Sequence, residues 1–152
     1  MSGPNDAMKT SDVGIALIKR FEGFCAKVYT CPAGKPTIGY GHVVKPGELF
    51  GTLSEAQATD LLRADAEIAA HSVKRFISAP LSQNQFDVLV SFTFNLGGGA
   101  LETSTLRSLI NAGRFDAVPR ELNRWVFSKG QRLPGLIARR AAEGQLFTAP
   151  RI

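Results

Sequence analysis

Within one stretch of sixteen residues, Glu22, Cys31 and Thr37 offer a carboxyl, a thiol and a hydroxyl, three groups able to move or hold a proton. Eight residues separate the first from the second, and five the second from the third. Glu22 closes an amphipathic helical pattern that starts near Ser11. Phe24 to Thr30 then alternates as a strand does, Cys31 to Pro36 is turn chemistry, and Thr37 to His42 alternates again. The pattern predicts a helix running into a β-hairpin with Glu22 at the joint. A carboxylate at a helix C-terminus faces the negative end of the macrodipole and costs ~0.3–1 kcal/mol. An acid that breaks a local folding rule points to function.

With this spacing come further motifs: Thr37-Ile38-Gly39-Tyr40-Gly41-His42, Phe94-Asn95-Leu96-Gly97 followed by two more glycines, Ser104-Thr105-Leu106, Arg124-Trp125, and Gly135 through Arg139-Arg140 to Glu143. In this order, over roughly residues 10–148, they resemble the phage-type lysozymes of glycoside hydrolase family 24. The signature of that family is Glu, eight residues, Asp or Cys, five residues, Thr. The resemblance implies a lysozyme-like α+β fold, with a small β-hairpin lobe, a larger mainly helical lobe and a cleft between them.

The chemistry it implies is hydrolysis of a glycosidic bond, which needs an acid on the leaving oxygen and water delivered from the opposite face if the reaction inverts. Glu22, flanked by Phe21 and Phe24, takes the acid's place. Cys31 stands where many relatives carry Asp. Its role stays open between thiolate base, water-positioner and nucleophile, and a small buried filler is the other reading. Thr37 matches the position that holds the attacking water. Phe94 and Asn95 are expected to face the cleft as a sugar wall and an acetamido partner, and Thr105 matches a further substrate-lining position.

Strand alternation carries separate content. Thr37, Gly39 and Gly41 share one face, which is nearly bare backbone for a sugar chain to approach, while Ile38, Tyr40 and His42 share a bulky face that can pack. His42 is accordingly expected to be a structural, hydrogen-bonded histidine. With two histidines, no His-x-x-x-His and no Cys-x-x-Cys, neither a metal site nor a cofactor is expected. If the first strand is extended, about six steps of ~3.3 Å separate Cys25 from Cys31, so both are read as free thiols.

Along the chain, residues 1–9 read as a loose tail to a single domain spanning 1–152. Ser11 is an N-cap, and Val13, Ala16, Leu17, Ile18 and Phe21 form the first helix's apolar stripe, closed by Gly23. Ser54-x-x-Gln57 and Ser82-x-x-Gln85 are capping boxes. The first opens a long helix to about Ile77 with Ala58, Leu61, Leu62, Ala69 and Phe76 inward. The second opens a helix apolar almost all round, the expected axis of the helical lobe, which the glycines from Gly97 stop. Helices at about 104–112, 116–127 and 134–147 complete the expectation. Trp125 reads as core.

The 152 residues, 44% hydrophobic and 20% charged, suffice for one core without staples. No run is long and apolar enough to span a membrane, and the N-terminus shows no secretion signal. The expected location is therefore the host cytoplasm until release, holin-dependent by resemblance, to the wall. The net charge is +5, and Arg120 to Ile152 alone holds seven basic and two acidic residues. That end would suit an anionic wall or outer-membrane polymer. Arg139 and Arg140 are expected to brace the last helix, touch that polymer or be solvated. The leading expectation is a monomeric endolysin, a muramidase cutting peptidoglycan between N-acetylmuramic acid and N-acetylglucosamine, with no nucleic-acid partner. A lytic transglycosylase and a non-catalytic wall- or nucleic-acid-binding module are the alternatives.

Overall fold

The computed structural model describes residues 3–150. In chain order the elements are α1 (Asp12–Glu22), β1 (Cys25–Thr30), β2 (Pro36–Gly39), β3 (His42–Val43), α2 (Glu55–Phe76), α3 (Gln83–Leu96), α4 (Gly98–Glu102), α5 (Thr105–Asn111), α6 (Val118–Leu122), β4 (Phe127–Ser128), β5 (Gln131–Arg132) and α7 (Pro134–Phe147). A 3₁₀ turn at Phe115–Ala117 leads into α6. The α+β, lysozyme-like expectation holds.

The expected hairpin is a three-stranded antiparallel sheet in the order β1-β2-β3. Tyr29 pairs with Thr37 across β1 and β2, and Ile38 with His42 across β2 and β3. The run from Thr37 to His42 cannot stay one strand because Gly39 and Gly41 take φ of 67° and 78° and turn the chain at Tyr40. The bare face is consequently filled rather than open to a sugar. A Cβ on Gly39 would touch Ala58 of α2 at 3.4 Å, and one on Gly41 would lie 2.5 Å from Glu22 Oε1.

Both capping boxes form. α3 is buried all round from Phe86 to Thr93 and packs against α1, α2, α4 and α7, so it is the lobe's axis as expected. Around it one hydrophobic cluster gathers Ile18, Leu62, Val73, Phe86, Leu89, Phe92, Leu106, Ile110 and Leu122, among others. Trp125 sits half-buried against Phe92, ring centroids 5.3 Å apart.

Three local expectations need correction. The buried face of α1 is Gly14, Ile15 and Ile18, whereas Val13 is 55% exposed. Gly14 supplies no apolar signal, yet a Cβ there would meet the Asp87 carboxyl at 2.8 Å, so the two helices touch at that point. Asp87, buried in α3, accepts from Ser11 N at 3.0 Å, from Ser11 Oγ and from Gln83 Nε2 at 2.9 Å. Its carboxylate thus holds Ser11, the N-cap whose hydroxyl accepts from Gly14 N, and so docks α1, the helix that carries Glu22, on the axis. Next, the segment before α1 is held rather than loose from residue 3 onward. Asn5 is 1% exposed, donates to Ala79 O at 2.9 Å and accepts from Leu81 N at 3.0 Å. Residues 1 and 2 of the expected tail lie outside the described residues.

Finally, the helix expected at 116–127 ends at Leu122 and a hairpin follows. Lys129 and Gly130 have φ of 51° and 77°, the signature of a two-residue turn whose twist matches antiparallel strands. The expected stop at Gly97 holds, although Gly98 and Gly99 open α4 instead of extending a loop.

Candidate active site

Glu22 ends α1, and Gly23 with φ 72° turns the chain into β1. The carboxylate is about four-fifths buried. Arg139 of α7, 117 positions away, donates from Nη1 to Glu22 Oε2 at 2.6 Å. Oε1 looks toward the bare Gly41 backbone. The misplaced acid therefore has its compensation: a buried guanidinium supplies the positive charge that the helix end lacks. Arg139 and Arg140 are 3% and 0% exposed, so contact with wall polymer and solvation are both excluded for them. Of the three roles expected for this pair, bracing is the one that stands.

Cys31 is a free thiol, as is Cys25. It opens the β1–β2 turn, donating from its amide to Lys35 O at 2.9 Å and accepting from Gly34 N at 2.8 Å. Its thiol pKa lies below the ordinary value, chiefly because the Lys35 backbone N–H can hydrogen-bond the thiolate; desolvation opposes this, and the Thr37 hydroxyl and the Ala33 N–H add smaller contributions that lower it. The Thr37 hydroxyl also donates to Lys35 O at 3.1 Å. The sulfur and that carbonyl therefore compete for one hydroxyl proton. Thr37 is itself buried, 3% exposed.

Tyr29 joins these groups, and the sequence reading missed it. It lies across the sheet from Thr37 and is 39% exposed. Its phenol pKa is raised, first by burial and then by the charges of Cys25, Cys31 and Glu22. The signal was available: Tyr29 stands two residues before Cys31, where β1 runs into its turn. Tyr29 and Thr37 are strand partners, and Cys31 follows β1 directly, so these three share one edge of the sheet.

His42 is pinned from both sides, Nδ1 2.7 Å from Asp65 Oδ2 and Nε2 3.0 Å from Glu48 Oε1. Burial alone would lower its pKa, but the two carboxylate hydrogen bonds outweigh burial and raise it. Tyr40 donates to Glu55 Oε2 at 2.6 Å, and Lys19 of α1 reaches the same oxygen at 2.9 Å. The bond to Tyr40 and then that to Lys19 hold Glu55 down at about 2, while the Tyr40 phenol is pushed up to about 12, mainly by the bond to Glu55. These contacts fix the turn at Tyr40, and Gly41 with it, against both lobes.

A hollow of about 300 Å³ separates the sheet from the helical lobe, lined by Gly41, His42, Val43 and Lys45 on one side and by Asp65, Ile68, Ser72, Thr93 and Phe94 on the other. Asn95 lies next to Phe94, half-buried, and its Oδ1 accepts from Arg140 Nη2 at 2.6 Å. Thr105 is not brought to these groups. It is exposed at the first turn of α5, which is tied to the far end of α2 by the Arg107 Nε bond to Phe76 O at 2.9 Å. A larger hollow of about 530 Å³, at Pro80–Gln85 and Phe147–Ala149, shares no lining residue with the site.

Among known proteins, the chain is 40% identical to the endolysin of Acyrthosiphon pisum secondary endosymbiont phage 1, over 92% of this chain and 98% of that one. It is 42% identical to the endolysin of Bacillus phage B103 over 92% of its own length, and it spans about half (54%) of that longer protein. The fold matches the muramidase domain of SpmX from Asticaccaulis excentricus with a TM-score of 0.85 and 37% identity, covering 93% of this chain and 99% of that domain. With the family model described as Phage lysozyme matching residues 19–143 and enclosing Glu22, Cys31 and Thr37, the chain belongs to the phage lysozyme family.

Proposed function

We propose that this chain hydrolyses the β-1,4 bond between N-acetylmuramic acid and N-acetylglucosamine in peptidoglycan with Glu22 as the general acid. The chain is an endolysin of the muramidase type. The observation that carries the acid assignment is the asymmetric hold on Glu22. Arg139 occupies Oε2, so a proton on this carboxyl sits on Oε1, the oxygen turned toward Gly41 and the cleft. A carboxyl aimed by one fixed partner and free on the other oxygen is a placed proton donor. Cys31 and Thr37 answer it from the sheet. A thiolate steadied by the Lys35 N–H and the Thr37 hydroxyl can accept a proton from water or position it, and attack from that side inverts the anomeric centre.

Phe94 and Asn95 supply an apolar wall and an amide for the sugar's acetamido group. Thr105 lines substrate only beyond the hollow. An anionic wall polymer is engaged through the exposed Arg124, Lys129 and Arg132, and not through the buried pair. Reaching the wall would use a separate holin-type release step, in keeping with the endolysin relatives; no helix among the described residues is long and apolar enough to cross a membrane.

The test is Glu22→Gln, which removes the proton donor with little change in volume. It should retain fold and glycan binding while clearing of permeabilised Gram-negative cells falls by about 10²–10⁴-fold. Near-wild-type lysis overturns the acid assignment. A 1,6-anhydro product in place of a free reducing end would reassign the reaction as a lytic transglycosylation.

A further inference from the structure

Arg139 can aim Glu22 only if Arg139 is itself fixed, because a free arginine carries about 2 kcal/mol of rotamer entropy. Its Nη2 donates to Ser91 O at 3.1 Å and to Ser91 Oγ at 3.3 Å. The Ser91 hydroxyl in turn donates to Glu143 Oε2 at 2.7 Å, which leaves its lone pairs facing Arg139. Glu143 Oε2 also stands 3.5 Å from Arg139 Nε. The other oxygen, Oε1, lies 3.1 Å from Arg140 Nε. Spacings of four and three along α7 put this carboxylate between both guanidinium groups.

Arg140 has a second task. Its Nη2 reaches Asn95 Oδ1 at 2.6 Å, and its guanidinium lies over the Phe92 ring, 5.3 Å from the centroid. A guanidinium only donates, so the Asn95 carbonyl must face it and the amide NH₂ is left for a ligand acceptor. Arg140 and Glu143 are both fully buried. With Glu22 and Arg139 they form two positive and two negative groups in contact, a balance that removal of either Glu143 or Arg140 breaks.

We propose that Glu143 and Arg140 are positioning residues for the glycosidase reaction: Glu143 fixes Arg139 and so aims Glu22, while Arg140 orients Asn95 for a substrate carbonyl. This rests on Glu22 being the general acid. One carboxylate then ties the proton donor to the sugar-binding end of α3, so chemistry and binding share a single buried anchor. The two arms predict different kinetics. Loss of the Glu143 arm lowers kcat, and loss of the Arg140 arm raises KM.

The experiment measures kcat and KM on solubilised peptidoglycan for Glu143→Gln, Arg139→Met, Arg140→Met, and Glu143→Gln combined with Arg139→Met, with folding followed by circular dichroism. Expected results are a kcat reduced by about 10-fold or more with little change in KM for Glu143→Gln, since small misplacements of a reacting group are costly. Arg140→Met should raise KM several-fold. In the Arg139→Met background, Glu143→Gln should cost almost nothing further, as a residue acting through another must. Additive losses, or a wild-type kcat in folded Glu143→Gln, overturn the proposal. If Glu143→Gln does not fold, the pair replaced together by methionine serves instead, because exchanging a whole buried ion pair for apolar groups is often neutral. A wild-type kcat in that double variant, or its failure to fold, assigns the pair to stability alone and overturns the proposal. Glu22→Gln measured alongside keeps the two readings apart. If it is inactive while Glu143→Gln is not impaired, only this inference falls. If Glu22→Gln is active, the acid assignment falls.

Discussion

Replacing Gly41 by alanine puts a methyl group where the structure brings the acid against bare backbone. The new Cβ would lie 2.5 Å from Glu22 Oε1 and 3.2 Å from its Cδ, so Oε1 falls close to 1 Å short of ordinary van der Waals contact. The residue also holds φ of 78°, where an L side chain costs about 1–2 kcal/mol. For a chain this long, that strain lowers Tm by about 2–8 °C. The clash itself is inexpensive in stability because the obstructed group is the end of a side chain. It is costly in chemistry, because Glu22 must swing away and loosen its 2.6 Å contact with Arg139. A displacement of about 1 Å at a reacting group lowers the rate by on the order of 10²-fold. Gly113→Ala is the matched control, with the same φ of 78° and nothing within 4 Å of the added methyl. The assay is the clearing rate of permeabilised cells beside thermal unfolding. Both variants should lose similar stability, and Gly41→Ala alone should lose activity. If it lyses within about twofold of the Gly113→Ala rate, the close approach of Gly41 to the acid has no catalytic meaning and the geometric argument is refuted.

Cys31→Asp should stay active and keep its activity to lower pH than wild type, since a carboxylate ionises well below a thiol. Cys31→Ala and alkylation should both impair lysis, while Cys25→Ser changes little, and full activity in Cys31→Ala would reduce the thiol to filler. The raised pKa of His42 contributes stability that is complete below the unfolded value near ~6.5 and is lost as pH rises through the higher folded value. The Tm difference between wild type and His42→Gln should therefore shrink as pH climbs above about 6.5, and a constant difference from pH 5 to 9 would refute the linkage. Asp87→Ala should cost about 2–3 kcal/mol in urea denaturation, because it strips the N-terminus of α1 of its buried acceptor. A loss below about 0.5 kcal/mol would mean that the Asp87–Ser11 contact does not hold α1 in place.

The parts of the fold that were legible are those set by local chemistry. The two Ser-x-x-Gln boxes, the glycine stop after Glu22 and the all-round apolar helix each need only a window of a dozen residues, and each formed. Misread features depended on the absence of a side chain or on a partner elsewhere in the chain. Gly14 is the buried contact of α1 because it has nothing to place between itself and Asp87, and hydrophobic periodicity is blind to such a residue. The hairpin at Lys129-Gly130 was lost inside a helical reading because two residues with positive φ outweigh the weak propensity of their neighbours.

Of the candidate site, Glu22, Cys31, Thr37 and the α3 residues Phe94 and Asn95 were named from the sequence, whereas the buried anchor on α7 was not. Glu22, Cys31 and Thr37 lie within sixteen residues, and their family spacing matched them before any contact was known. Tyr29 could have been added from strand alternation alone. Arg139 could not, because its partner Glu22 lies 117 positions away and no periodicity reports a contact of that range. Its basic neighbourhood suggested an outward, polymer-binding face, since a charge run usually is one. What argues the other way is internal to α7. Arg139, Arg140 and Glu143 sit at i, i+1 and i+4, beside Gly144, which packs on Pro119, and four positions before the buried Phe147. A helix does not offer Gly144 and Phe147 to its neighbours while pointing the turn between them and Arg139 at solvent. Charges caught on such a face must pair inside the protein, and the carboxylate that lacked a folding reason at the end of α1 is the pair that completes the balance.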